Sequence, residues 1–187
     1  MIISIVGKTN SGKDSVAKYI NDYYGIPMVV SYTTRPKRDY EIDGVQHWFV
    51  DKNKMKELME RDDVIAYTKN EETGIEYCAV GGLKKDEHLV YIINPEGIYW
   101  FNENNSNIEM YSIYIDTNEL DIIERGKNRG DNPIVLQARL NSERDEFNKF
   151  RDSHKYDYYV SNNKTIEHLY QEIDGFLYSL GFRKNQK

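Results

Sequence analysis

The sequence predicts an α/β fold, a mostly parallel sheet with helices on both faces. Short runs rich in β-branched residues alternate with stretches of helical periodicity from one end of the chain to the other. The opening run passes straight into a glycine-bounded loop and then into an amphipathic helix. With 12 Gly and 4 Pro in 187 residues, no stretch has the composition of a linker, so a single domain is expected.

Residues 1–6, Met-Ile-Ile-Ser-Ile-Val, read as a buried strand. Val16, Ala17, Ile20 and Tyr24 then share one helical face over 14–24, and Gly25 is a suitable stop. Residues 27–32 predict a second strand, and 47–50 another beyond the polar loop 35–44. Met55, Leu58 and Met59 set a helix over 52–61. Strands over 64–69 and 75–80 flank a turn at Gly74. The run 88–94 is the clearest buried strand and is expected to end at Pro95. A strand over 108–115, a helix over 118–125, a long charged helix over 134–150 and a strand over 156–161 follow. Ile166, Leu169, Tyr170, Ile173, Phe176, Leu177 and Leu180 form one apolar face, predicting a closing helix over 165–180 that stops at Gly181. In such sheets ligands bind beyond the carboxyl ends of the strands, where the chemistry-bearing residues fall.

Charge and cysteine content narrow the class. A balance of 25 Lys+Arg against 31 Asp+Glu, net −6, argues against a general nucleic-acid binder, which needs a basic face. It leaves room for anionic small molecules, since a few placed arginines hold a phosphate. The single cysteine, Cys78, excludes an internal disulfide and fits a reducing compartment, so a cytoplasmic setting is expected. No apolar run approaches the ~18–20 residues of a membrane span, and residues 1–6 are too short for a signal-peptide core. No membrane partner is expected. His47, His88, His154 and His168 show no metal-ligand spacing.

Gly7-Lys8-Thr9-Asn10-Ser11-Gly12-Lys13 joins the first strand to the first helix, followed by Asp14 and Ser15. This Gly-x-x-x-x-Gly-Lys spacing in strand–loop–helix context is the P-loop arrangement. Its glycines let backbone N–H groups converge on phosphate oxygens, the helix N-terminus adds positive potential, and the lysine neutralises transferring charge. Asp14 departs from the usual Ser or Thr. The strand predicted over 88–94 lacks the carboxylate that normally completes a magnesium shell, so Asp14 is expected to supply that ligand, directly or through water. ATP and Mg²⁺ are the expected cofactors. A second constellation starts at Ser31 and includes Arg35 and Arg38, two guanidiniums three residues apart with hydroxyls nearby, a clamp suited to a phosphomonoester.

Ser31-Tyr-Thr-Thr-Arg35-Pro-Lys-Arg38, Glu41-Ile-Asp-Gly44 and Phe49-Val50 resemble the acceptor-binding segment of guanylate kinases. The likeness continues: Gly74-Ile-Glu-Tyr77 resembles the family's tyrosine turn, Arg125, Arg129-Gly130 and Arg139-Leu140 its lid, and Tyr156 to Asn162 its terminal strand. The resemblance implies a P-loop kinase core of about 1–32, 84–124 and 155–187, a small β-rich acceptor-binding subdomain of about 33–83 and a helical lid of about 125–154. It implies catalytic roles for Lys13, Arg38, Arg129 and Arg139. ATP contacts are implied for Gly7, Lys8, Asn10, Ser11, Gly12, Lys13, Asp14, Ser15 and Asn162. The acceptor, a nucleoside monophosphate, nominally GMP or dGMP, falls to Ser31, Arg35, Arg38, His47, Tyr77 and Asn94.

The chain departs from the family where the base is read. The guanine-binding glutamate falls at Ala66, its partner aspartate at Asn94, the hydroxyl after the tyrosine turn at Ala79, and the tyrosine before Phe49 at His47. Guanine offers N1–H and N2–H₂ donors that call for a carboxylate, and a missing buried partner costs about 1–3 kcal/mol. Gly-Lys-Asp-Ser at the loop and the absent glutamate also resemble ribose 1,5-bisphosphate phosphokinases. A deoxynucleoside monophosphate kinase of other base preference is a further alternative. A non-catalytic phosphopeptide-binding scaffold is a remote one, since Lys13, Arg129 and Arg139 are all present.

Overall fold

The computed structural model describes residues 1–39, 41–71, 73–81 and 87–185. In chain order the elements are β1 (Ile2–Val6), α1 (Lys13–Tyr24), β2 (Tyr32–Thr33), β3 (Trp48–Phe49), α2 (Lys52–Met59), β4 (Val64–Lys69) and β5 (Glu76–Val80). They continue with β6 (Leu89–Ile92), α3 (Pro95–Asn104), β7 (Met110–Asp116), α4 (Glu119–Arg129), α5 (Pro133–Ser153), β8 (Tyr158–Ser161) and α6 (Ile166–Ser179). They form two compact units, one of Met1, Val29–Leu89 and Glu96–Glu109, the other of Ile2–Met28, Val90–Pro95 and Met110–Lys187.

The larger unit is built on a sheet of order β6-β1-β7-β8, in which β1, β7 and β8 run parallel. Side chains alternate faces along each strand. Ile3, Ile5, Ile113, Ile115 and Val160 therefore share one face, and they pack on Val16, Ala17 and Ile20 of α1 and Leu169, Ile173 and Leu177 of α6. Burying each such side chain contributes about 1.5–3 kcal/mol, which is why the two best amphipathic helices cover this face. On the other face Tyr114 stacks with Tyr156 and Tyr159, and its hydroxyl donates to the Phe147 carbonyl of α5 at 3.3 Å. Ile122, Leu136 and Leu140 hold α4 against α5.

The smaller unit carries a mixed sheet of order β3-β2-β5-β4, with β2 parallel to β3 and antiparallel to β5. Met55 and Leu58 of α2 pack on Val64 and Cys78, with Trp100 against the same cluster. Asp51 caps α2, its carboxylate accepting the Lys54 N–H at 2.8 Å.

Two expectations are corrected. The strand foreseen over 27–32 is broken: Met28 makes a lone parallel bridge to Val90, whereas Tyr32 pairs with Trp48 and Cys78. The run reads as one strand because strand-forming residues fill it, but its two ends serve different sheets. Pro95 does not merely stop a strand; it opens α3, a helix the sequence reading missed. Proline's fixed φ and missing N–H suit the first helical position, so the residue that breaks a strand also starts a helix. Among the described residues no helix is long and apolar enough to cross a membrane.

Candidate active site

The loop from Gly7 to Lys13 leaves the carboxyl end of β1 and is held by contacts that only its own residues allow. A Cβ at Gly7 would lie 2.6 Å from both the Ile115 carbonyl oxygen and Ser11 Oγ. Gly12 has φ +102°, and a Cβ there would lie 2.6 Å from Asn162 Nδ2, so both glycines are required by space and the second also by backbone conformation. Asn10 is left-handed too, at φ 54°. The loop carbonyls are turned onto protein donors. Lys8 O accepts the Ser11 N–H at 3.2 Å and the Lys13 ammonium at 2.6 Å. Ser11 O accepts the Asn162 amide at 2.8 Å and the Thr117 hydroxyl at 3.1 Å. α1 begins with no side-chain cap, so its first-turn N–H groups are available to an anion.

Arginines and acids of α4 and α5 meet this loop. Arg125 donates to the Asn162 carbonyl at 2.7 Å. Arg129 donates to Asn10 Oδ1 at 2.6 Å and grips Asp131 with Nε at 3.1 Å and a terminal nitrogen at 2.6 Å. Those bonds, the Asn10 amide and the nearby charge of Arg139 hold the Asp131 carboxyl below its ordinary value. Glu143 accepts the Thr9 N–H at 2.7 Å. Crowding by protein lowers the Lys13 pKa, and the charges of Glu143 and Asp14 oppose that shift. Lys8, expected at the nucleotide, gives its carbonyl to the loop while its buried ammonium lies 3.9 Å from Glu119. A cavity of about 400 Å³ opens here, lined by Asn10, Gly12, Asp14, Ser15, Arg129 and Asn162 among others. Lys164 and Ile166 also line it; their place beside Asn162 is the signal the sequence carries for them.

Asp14 and Ser15 are exposed at the start of α1. No group of three or more acidic, histidine or cysteine side chains able to hold a metal ion occurs among the described residues. One exposed carboxylate beside a phosphate cradle nonetheless fits magnesium, which keeps most of its water and takes one or two carboxylates plus phosphate oxygens.

In the smaller unit the residues expected to hold the acceptor converge, and a residue given no site role organises them. Glu41, 4% exposed, accepts both terminal nitrogens of Arg35, at 2.7 and 2.5 Å, and the Arg38 backbone N–H at 2.9 Å. The Arg35 bonds, aided by Arg38, pull the Glu41 carboxyl down to about 2 against the opposing effect of burial. Arg35 also lies over the Phe49 ring, 5.2 Å from its centre, and Tyr77 helps keep it charged. Ser31 Oγ and His47 Nδ1 share a hydrogen bond, and the His47 and Tyr77 rings meet edge to face. The Arg38 side chain, one-third exposed, is the more available of the two guanidiniums. Asn94 belongs to the other unit.

A sequence model described as guanylate kinase matches residues 2–180. The guanylate kinase of Rickettsia prowazekii is 27% identical over 183 residues, covering 92% of this chain and 90% of the relative. That of Fusobacterium nucleatum is 26% identical over 166 residues, covering 86% of each. The crystal structure of guanylate kinase from Anaplasma phagocytophilum superimposes with a TM-score of 0.65 at 22% identity, over 96% of this chain and 85% of that one, a likeness of fold. The phosphate loop, the parallel sheet behind it and a match that runs nearly end to end converge on one assignment: the chain belongs to the guanylate kinase family of nucleoside monophosphate kinases.

Proposed function

We propose that this chain transfers the γ-phosphoryl group of ATP to the phosphate of GMP or dGMP, giving ADP and the diphosphate. The observation that carries the reading is the intact loop with Lys13 anchored on Lys8 O, in a chain whose relatives over 92% of its length are guanylate kinases. Lys13 and the amides from Asn10 to Asp14 hold the β- and γ-phosphates, with Gly7 and Gly12 making room for the backbone. Asp14 is the oxygen donor offered to magnesium, which when bound neutralises phosphate charge, and Ser15 lies beside it as an ATP contact. Ser31, Arg35, Arg38, His47 and Tyr77 hold the acceptor phosphate, and the family resemblance gives Asn94 a part in binding the acceptor. The lid, about 125–154, closes with Arg129 and Arg139 to stabilise charge on the transferred group and exclude water. Positioning and charge neutralisation suffice, so no covalent intermediate or dedicated general base is required.

Base recognition is the weakest part of the site. Ala66 and Ala79 face each other across β4 and β5, both buried, so neither offers an acceptor to guanine. Glu76 on the same pair already accepts the Tyr67 hydroxyl at 2.6 Å. The reading therefore includes reduced discrimination between bases. The relatives do not favour a ribose 1,5-bisphosphate phosphokinase or a scaffold. A cytoplasmic setting and a small-molecule acceptor, with no nucleic-acid or membrane partner, are part of the proposal; the lone buried cysteine supports it.

The test is an acceptor panel of GMP, dGMP, AMP, dTMP, dCMP and ribose 1,5-bisphosphate, followed by ADP production. GMP and dGMP should give the highest kcat/KM. Turnover with ribose 1,5-bisphosphate alone would overturn the assignment, and the absence of acceptor-dependent ADP release with every member of the panel would point to a scaffold.

A further inference from the structure

Glu143 is delivered to the phosphate loop by a helix rather than a loop. On α5 it sits between Leu140 and Phe147, both buried, so the backbone that carries its carboxylate is fixed by packing. Its Oε2 accepts the Thr9 N–H at 2.7 Å. Among the described residues Glu143 makes no ion pair with an arginine or lysine, unlike its neighbour Arg144, which is engaged with Glu119 at 3.0 Å. The carboxylate therefore takes up a loop amide, a donor of the kind that faces a phosphate oxygen.

We propose that the donor-phosphate seat extends one residue further, to the Thr9 N–H, and that Glu143 is its internal occupant. It competes with the triphosphate, and so it sets the donor affinity of this enzyme. The inference rests on the reading of the loop as the ATP phosphate site. Two anions cannot share one N–H without mutual repulsion, so the carboxylate withdraws as the triphosphate settles. Because Glu143 rides on α5, its withdrawal and a displacement of the lid are one event. Asp131 does the same for Arg129, whose fork it fills in the geometry an arginine uses for phosphate.

The test is calorimetric titration with inorganic tripolyphosphate at constant ionic strength, on the wild-type chain, Glu143→Gln and Glu143→Asp, with adenosine as a control ligand. Glutamine keeps the size and removes the charge; aspartate keeps the charge but is one methylene too short for the seat. Both variants should bind tripolyphosphate five- to fifty-fold more tightly than wild type, with adenosine binding unchanged. Unchanged or weaker binding in both would overturn the inference. Tighter binding in Glu143→Gln alone would also overturn it, by assigning the effect to charge at a distance rather than to occupancy. Lys13→Ala separates the two levels: wild-type binding lost in that variant upholds the loop as the phosphate site whatever Glu143 does. Wild-type binding that is absent, or that Lys13→Ala leaves unchanged, removes the site reading and this inference with it.

Discussion

The Ser31 hydroxyl lies 2.9 Å from Nδ1 of His47, in a site where burial and the Arg35 charge push the imidazole down to about 4. The ring is therefore neutral in the folded protein at neutral pH, while the unfolded chain titrates near 6.5. The unfolded state binds more protons between those values, so this contribution to stability is complete above pH 6.5 and is lost as pH falls toward 4. The Glu41 contribution has the opposite chemistry but a lower window, lost between its ordinary value of 4.5 and about 2. Urea unfolding at pH 7.5 and pH 5 should show the wild type losing roughly 1–2 kcal/mol more than His47→Gln. Equal losses would count against the assignment.

Arg35 and Arg38 should respond differently to truncation. Arg38→Ala removes a one-third-exposed side chain, so GMP KM should rise about ten-fold with stability within ~0.5 kcal/mol of wild type. Arg35→Ala strands the buried Glu41 carboxylate, so it should raise KM and also cost roughly 3 kcal/mol of stability. Steady-state kinetics beside urea unfolding separates the two; a fully stable Arg35→Ala would show the pair to be dispensable.

Gly12→Ala should cost about 1–3 kcal/mol, since a side chain must take a left-handed φ there, and its Cβ would press on the Asn162 amide. Thermal unfolding and ATP binding should fall together. Normal ATP binding in a destabilised variant would mean that Asn162 can move without consequence for the loop.

Asp174 on α6 gathers three donors: the Tyr19 hydroxyl at 2.9 Å, the Tyr24 hydroxyl at 2.7 Å and the Lys184 ammonium at 2.6 Å. Asp174→Ala leaves all three without their acceptor and should destabilise the chain by roughly 2–4 kcal/mol. Lys184→Ala should cost less, about 1 kcal/mol, because its partner keeps both phenols. The ordering of urea midpoints checks this.

Elements with strong periodicity were legible in the residues: β1, the helix α1 with its Gly25 stop, and α6 with its apolar face and Gly181 all lie within a residue or two of expectation. Misreadings came where one residue serves two purposes. Pro95 reads as an end because a strand cannot continue through it, yet it also begins α3. Residues 27–32 look like one strand because both ends are apolar, yet Met28 and Tyr32 pair in different sheets. At the site, spacing singles out Lys13, Arg35 and Arg38 because phosphate chemistry calls for those types. It could not reveal that Glu41 fills the Arg35 fork, that Glu143 takes the Thr9 N–H, or that Asp131 meets Asn10 and Arg129. Those partners are set by tertiary placement, and an acid on a charged helix is indistinguishable in sequence from its solvated neighbours.

The amide of Asn162 reaches Ser11 across 151 residues of chain. A nascent polypeptide emerging from the ribosome therefore has its glycine loop long before it has the strand that braces it. Competence to take up nucleotide should arrive only once Asn162 has been made and seated, so that it reports assembly of the sheet rather than the presence of the motif. Fragments ending before β8 should be blind to ATP however well their first strand and helix form.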